Sequence, residues 1–553
     1  MAKSGQFAVF LVFAALPVLY FYFKSPLKIF HKIGSYEERS LPSIRDFSRN
    51  GHLFSDIHSC HCLAKKPDRS LLPDNNRGEI RGNQERSLSL TTDVAKSVVE
   101  IMNPRVYYHV CDTLAIKIQS RAKQGTWKTY GGDYFRVKLF TDKPYSAIGP
   151  DYFFDYENGT YLALFTLRWP GTVRVDAMLV HPSEAVQILN RTQQGSAATV
   201  FTFYGTFQTT APNGTVYTED VTCGVAPFKP PMCNVSAKHT HGPWFCKKPT
   251  NEHLSCDDWA VVFMSTKESS AKLQKTLSKA ELAAFKSTKT KLKTLSLPSI
   301  NVRGAAPDPD ALPTCTLAPV TSSVQTRGFY YNNTWQPYHC SLKSFKPNDI
   351  QSCMTKKTIH IYGDSTGRQM YYYLQKSTTC DNIEISGEKR CVGNGTTLRY
   401  KFHGPPIRGS GKLNAKKLRY VAEEIDDLEG GPDVFIILSI WAHFGVPDGT
   451  FYRDRLEAIK SAVGRLWQRS PETKVIVRSA NTREHSIGGF ILISSDWIAL
   501  QGEKTLRDVF SQDRRFSFLD VWDMTLVQKS KDSIHPLDPT LIQIMNHLLT
   551  MMC

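Results

Sequence analysis

The sequence predicts a multidomain protein, an antiparallel β-sandwich followed by an α/β domain on a mostly parallel sheet. Three observations lead there. At 553 residues the chain is too long for one hydrophobic core. Between about residues 91 and 215 it carries short alternating or apolar runs separated by turn residues. Over roughly the last 200 residues, apolar strands instead alternate with helical patterns, the mark of an open α/β sheet.

Residues 7–23, "FAVFLVFAALPVLYFYF", hold no charge and follow a tail of residues 1–6. As a helix they would span about 25 Å, enough for a thin bilayer. No A-x-A site follows, so a signal-anchor is preferred to a cleaved signal peptide. Lys24, Lys28 and Lys32 outnumber Lys3 across the span, which by charge alone would invert the topology. Two features overrule that count. N-x-[ST] sequons stand at Asn158, Asn190, Asn213, Asn234, Asn332 and Asn394, and thirteen cysteines follow the apolar run. The bulk of the chain is therefore expected in the secretory lumen, as a type II Golgi membrane protein or, after signal cleavage, a secreted one. The net charge of +17 then suits anionic glycans, and nucleic acid drops out.

Residues 24–90 are polar and aperiodic and read as a stem; Cys60 and Cys62 within it suit disulfides better than a metal. Residues 91–262 form the β-domain, through "DYFRVKLFT", "TYLALFTLRW", "GTVRVDAMLV" and "ATVFTFYGTF". They gather no catalytic set, so a binding or spacer module is expected. The domain closes on Cys223, Cys233, Cys246 and Cys256, with His239 and His241 between them; oxidised pairs, not a metal site, are expected. Residues 263–345 read as a lysine-rich interdomain segment. Of the thirteen cysteines at least one is left over, with Cys553, Cys60 and Cys62 the expected outliers.

Residues 346–553 carry the chemistry. "KTIHIYGDS" runs from a strand into a turn and then a helix, raising Ser365 at a strand's carboxyl end beside free helix N–H groups. Such a corner suits a nucleophile, and equally an N-cap. A serine hydroxyl needs a base steered by a third group. "KDSIHPL" supplies both, with Asp532 and His535 three residues apart on one face of a turn.

"YGDSTGRQ", "FHGPP", "ANTRE" and "DSIHP" together resemble the PC-esterase branch of the GDSL/SGNH hydrolases. With the cysteine-rich "CNVSAKHTHGPWFC" and the apolar N-terminal segment, the layout resembles the neurexophilin and PC-esterase domain family. The resemblance implies an Ig-like, neurexophilin-like β-domain and a three-layer SGNH-type domain. It makes Ser365 the nucleophile, His535 the base and Asp532 its orienting carboxylate, with Gly363 and Asp364 supporting the corner. The backbone N–H groups of Ser365 and Gly404 are candidate oxyanion donors. The G-x-N-D turn of the wider group is absent; His443 in "LSIWAHFG", or Asn481, stands in its place, against the plainer readings of a packed histidine and a turn residue. Arg368 faces the site, to grip a substrate carboxylate or to pair with a neighbouring acid. By resemblance the activity is glycan O-acetylation, with acetyl-CoA as co-substrate, no bound cofactor or metal, and sialic acid as an acceptor. The alternatives are an O-acetyl esterase and a non-catalytic ligand of cell-surface receptors.

Overall fold

The computed structural model describes residues 86–553 apart from 195–201, 237–241, 266–267, 269–274, 276, 286–289, 292–296, 298, 307, 309–311, 323, 325–326, 386–387, 408–410, 445–448, 484–494 and 530–533. Its N-terminal half is built from sheets. Strands Val98–Ile101, Thr113–Gln119, Thr160–Thr166 and Tyr152–Asp155 pair antiparallel. Their inward residues Leu114, Ile116, Tyr161, Ala163 and Phe165 meet Phe135, Val137, Leu139, Val175 and Ala177 of a second sheet across one core. In Tyr134–Asp142 the buried positions recur at every second residue, as the sequence alternation requires.

That second sheet reaches beyond the expected β-domain. Along it lie Thr334–Pro337, Gly328–Tyr331, Tyr145–Ile148, Tyr134–Asp142, Gly171–His181, Ile300–Arg303 and Tyr108–His109. The stretch 263–345, expected as an interdomain segment, thus supplies four of its strands, the fourth being Thr290–Lys291, which pairs with Gly171–His181. A third sheet contains Thr202–Thr210, Val216–Gly224 and Trp259–Ser265, and the last of these pairs with Leu413–Asn414 from the C-terminal half.

The C-terminal half is a mixed seven-stranded sheet, whose strands and helices are numbered here in chain order. The strands are β1 (Thr358–Gly363), β2 (Asp381–Ile385), β3 (Glu388–Gly393), β4 (Thr396–Phe402), β5 (Val434–Ser439), β6 (Lys474–Arg478) and β7 (Ser517–Leu519). They lie in the order β2-β3-β4-β1-β5-β6-β7, parallel from β4 to β7 and antiparallel at the β2–β3–β4 edge. The helices are α1 (Pro347–Met354), α2 (Ser365–Lys376), α3 (Val421–Asp426), α4 (Gly449–Arg469), α5 (Asp496–Phe510), α6 (Trp522–Leu526) and α7 (Asp538–Met552). Alternate β1 and β5 residues serve opposite faces. Ile359, Ile361 and Ile437 pack with Met354, Met370, Leu374, Ile544 and Leu548 of α1, α2 and α7. On the other face Tyr362, Ile436 and Leu438 pack with Ile425, Ile459, Val463 and Val509 of α3, α4 and α5. Two-sided burial is why these strands read as continuous apolar runs.

All eleven described cysteines are disulfide-bonded. The expected pairing of the 223–256 cluster is met by Cys223–Cys246 and Cys233–Cys256. Cys315–Cys340, Cys353–Cys553 and Cys380–Cys391 complete the pairs whose partners are both described. The expectation that Cys553 is an outlier is overturned: α7 packs against α1 and returns it to Cys353. This framework belongs to an oxidising, secretory or extracellular compartment. Among the described residues no helix is long and apolar enough to cross a membrane. Residues 7–23, Cys60, Cys62, His239, His241 and Asp532 lie outside the described residues.

Candidate active site at the carboxyl edge of the parallel sheet

The corner after β1 is held from inside. Gly363 allows it, because a Cβ there would sit 2.0 Å from the Ser439 carbonyl oxygen. Asp364 is the N-cap of α2 and is fully buried. Its Oδ1 accepts from the Thr366 N–H (2.8 Å) and hydroxyl (2.6 Å); its Oδ2 accepts from the N–H groups of Trp441 (3.2 Å) and Ala442 (2.8 Å). One carboxylate thereby ties the α2 terminus to the loop after β5. Ser365 opens α2, half-buried, with its hydroxyl free of any capping duty.

His535 comes to it from 170 residues away, Nε2 2.8 Å from Ser365 Oγ. Two amides fix the backbone around the imidazole. Asn481 Nδ2 donates to the Ile534 carbonyl (3.0 Å), and Gln369 Nε2 donates to the Pro536 carbonyl (2.7 Å). Burial of its inner side holds the His535 pKa below the ordinary imidazole value. The Asp364 carboxylate opposes this, while the cations Arg368, Arg483 and Arg478 add to it. The residue as a whole is solvent-exposed, which limits the effect of burial. A lowered pKa keeps Nε2 unprotonated, as a base requires.

Parallel register brings the other expected residues to the same edge. Gly363 pairs with Phe402 on one side and Ser439 on the other, so the residues just past β1, β4 and β5 stand together. Gly404 follows β4 with φ +77°. His443 follows β5, and its Nδ1 lies 2.9 Å from Nε2 of buried His403. Burial and the His443 ring hold the His403 pKa well down, so His403 is neutral. Asn481 follows β6 and is fully buried; its Oδ1 accepts from Arg478, and both amide hydrogens go to carbonyls, of Thr482 and Ile534. An amide so occupied braces the histidine segment and has no hydrogen left for an oxyanion. Arg368 lies 5.4 Å over the Phe402 ring and has no carboxylate partner among the described residues.

Sequence reasoning missed His403, Gln369 and Arg455. Arg455, fully buried, stacks on Tyr420 and donates to the carbonyls of His403 (3.3 Å) and Pro405 (3.1 Å), fixing the Gly404 turn. His403 lies within "FHGPP" and Gln369 ends "YGDSTGRQ", a signal that was available; Arg455 sits mid-helix and offers none. Five of the six sequon asparagines are exposed. Asn158, Asn213 and Asn234 each accept, through Oδ1, the N–H two residues on, whereas Asn190 is half-buried and accepts from the Trp497 indole. Among the described residues no His, Cys, Asp and Glu cluster could hold a metal.

A family model described as NXPE family member 4-like, C-terminal domain, matches residues 335–553, and one described as Neurexophilin matches residues 80–280. Both matches bear out the resemblance to the neurexophilin and PC-esterase domain family. A zebrafish (Danio rerio) relative named N-acetylneuraminate (7)9-O-acetyltransferase is 22% identical over 218 residues, 37% of this chain. The match covers 27% of that relative's length.

Proposed function

We propose that this protein is a lumenal glycan O-acetyltransferase working through an acyl-enzyme on Ser365. The observation that carries the reading is the 2.8 Å contact between His535 Nε2 and Ser365 Oγ at a helix N-terminus. Ser365 Oγ attacks the thioester carbonyl of acetyl-CoA as His535 Nε2 takes its proton. The N–H groups of Ser365 and Gly404 receive the oxyanion, with the His403–His443 pair beside them. Collapse breaks the C–S bond, and His535 returns the proton to the CoA thiolate. A sugar hydroxyl then gives its proton to His535 and attacks the acetyl-serine, forming the ester and freeing Ser365. Asp532 is assigned to the imidazole's other nitrogen.

Arg368, without a carboxylate partner among the described residues, suits the carboxylate of a sialic acid. The name of the distant relative, an N-acetylneuraminate O-acetyltransferase, supports the same acceptor. The fold this implies is a three-layer SGNH-type domain behind an Ig-like β-domain, anchored by residues 7–23 in the Golgi membrane. With an acetylated glycan as donor in place of acetyl-CoA, and water as acceptor in place of the sugar hydroxyl, the same steps make an esterase.

The test uses the purified full-length glycoprotein, a fluorophosphonate probe, and acetyl-CoA with a sialylated acceptor. Wild type labels and transfers acetyl; Ser365→Ala does neither, and His535→Ala loses comparably because the two act as one unit. Net loss of ester from a pre-acetylated glycan identifies the esterase. Equal behaviour of wild type and folded Ser365→Ala in both directions leaves the receptor-ligand reading.

A further inference from the structure

We propose that the β-half is part of the catalytic apparatus, with Arg136 as the positioning residue that holds His535 against Ser365. The proposal rests on the acyl-enzyme reading above. Arg136 lies on the strand Tyr134–Asp142, and its guanidinium is nearly enclosed, with 15% of the side chain exposed. It grips the other half at two points. Nη1 donates to Asp496 Oδ2 (2.8 Å) and Nη2 to the carbonyl of Leu526 (2.5 Å).

Each point leads toward the histidine. The other oxygen of Asp496, which is 3% exposed, accepts the backbone N–H of Arg483 (2.5 Å). Arg483 lies two residues past Asn481, whose amide holds the Ile534 carbonyl next to His535. The second arm meets the chain upstream of His535. Leu526 closes α6, and the carbonyls of Leu526, Val527 and Gln528 are taken in succession by Arg136, the Tyr145 hydroxyl and Lys138 Nζ (3.2 Å). All three side chains come from adjacent strands of the β-half. Helix C-terminal carbonyls lack intrahelical donors and carry partial negative charge, so two cations and a phenol satisfy and neutralise them.

This arrangement exceeds what docking alone needs. Surface ion pairs contribute little to association. Here a nearly buried fork spans a buried carboxylate and a backbone carbonyl, which fixes two points of the other half at once. Catalysis is sensitive to such placement, since about 1 Å of misalignment can lower a rate about 100-fold.

The test uses full-length Arg136→Ala and Asp496→Asn, with Leu139→Ala as a stability control on the same strand, inside the sandwich core. The fluorophosphonate labelling rate of Ser365, kcat and KM for acetyl transfer, and hydrogen exchange of peptides spanning residues 526–537 are measured. Arg136→Ala should label and turn over about 10- to 100-fold more slowly with KM unchanged, and exchange faster in that segment. Methylguanidine should restore part of the rate. Leu139→Ala should lower the melting temperature without these effects. Wild-type labelling by Arg136→Ala, or equal loss in Leu139→Ala at matched destabilisation, overturns the proposal. If wild type itself does not label, the acyl-enzyme reading falls, and unaltered exchange in Arg136→Ala then rejects the brace as well.

Discussion

Replacing Asp364 by Asn tests whether one carboxylate holds the nucleophile's corner. The wild-type carboxylate accepts from three backbone N–H groups and one hydroxyl, all buried. An asparagine keeps the shape but offers one oxygen and one NH2. Its better orientation keeps the oxygen on Trp441 and Ala442 and turns the NH2 toward the Thr366 N–H, while the Thr366 hydroxyl rotates to accept. One buried donor is then unsatisfied, at about 1–3 kcal/mol, and two charge-assisted bonds become neutral, at about 1 kcal/mol each. The expected loss is roughly 3–5 kcal/mol. Ser365→Ala, which removes a half-buried hydroxyl with no capping role, should cost less than about 1 kcal/mol. Urea unfolding followed by tryptophan fluorescence gives both values from midpoint and slope. A Asp364→Asn midpoint equivalent to a loss under 1 kcal/mol would refute the claim that this carboxylate holds the corner.

Two further outcomes follow from the site and its framework. Arg368→Gln should raise KM for a sialylated acceptor about 10- to 100-fold, as loss of a charge-assisted pair implies, and leave a neutral acceptor unaffected. Removing that cation also relieves one cause of the lowered His535 pKa. The acid limb of kcat/KM, which should lie below 6.5 in wild type, therefore moves up toward that value; an unmoved limb would show that Arg368 does not act on the base. Cys353→Ser opens a bond between residues 200 apart in sequence and should cost about 2–5 kcal/mol, read as a lower urea midpoint under non-reducing conditions.

The parts of the fold legible in the sequence are those written in local pattern. β1, β5 and β6 announce themselves as apolar runs because both faces are buried, and Gly363-Asp364-Ser365 announces the corner because the turn tolerates only glycine beside Ser439. Long-range pairing through backbone atoms has no such trace. The Arg136 contacts to Asp496 and Leu526 cross 360 and 390 residues, and a carbonyl acceptor leaves no mark on residue type. Asn481 was legible as an oxyanion candidate or a plain turn residue, and its hold on the Ile534 carbonyl left no trace, since that acceptor is a backbone atom. The strands Ile300–Arg303, Gly328–Tyr331 and Thr334–Pro337 are four residues each, too short for periodicity to separate from turns.

The hairpin Gly328–Pro337 carries a consequence for how this protein has been inherited. Its Tyr330 and Trp335 pack in one cluster with Tyr145 of the β-half and with Ile361, Leu374 and Ile544 of the α/β half, and the Trp335 N–H donates to Gln543 of α7 (3.1 Å). A recombination event that exchanged either half would split that cluster and expose large aromatic surfaces on both products. In this chain the two halves thus share one packed interior. A descendant that lost Ser365 or His535 would still be obliged to keep the spent α/β half as the foundation on which its β-half folds.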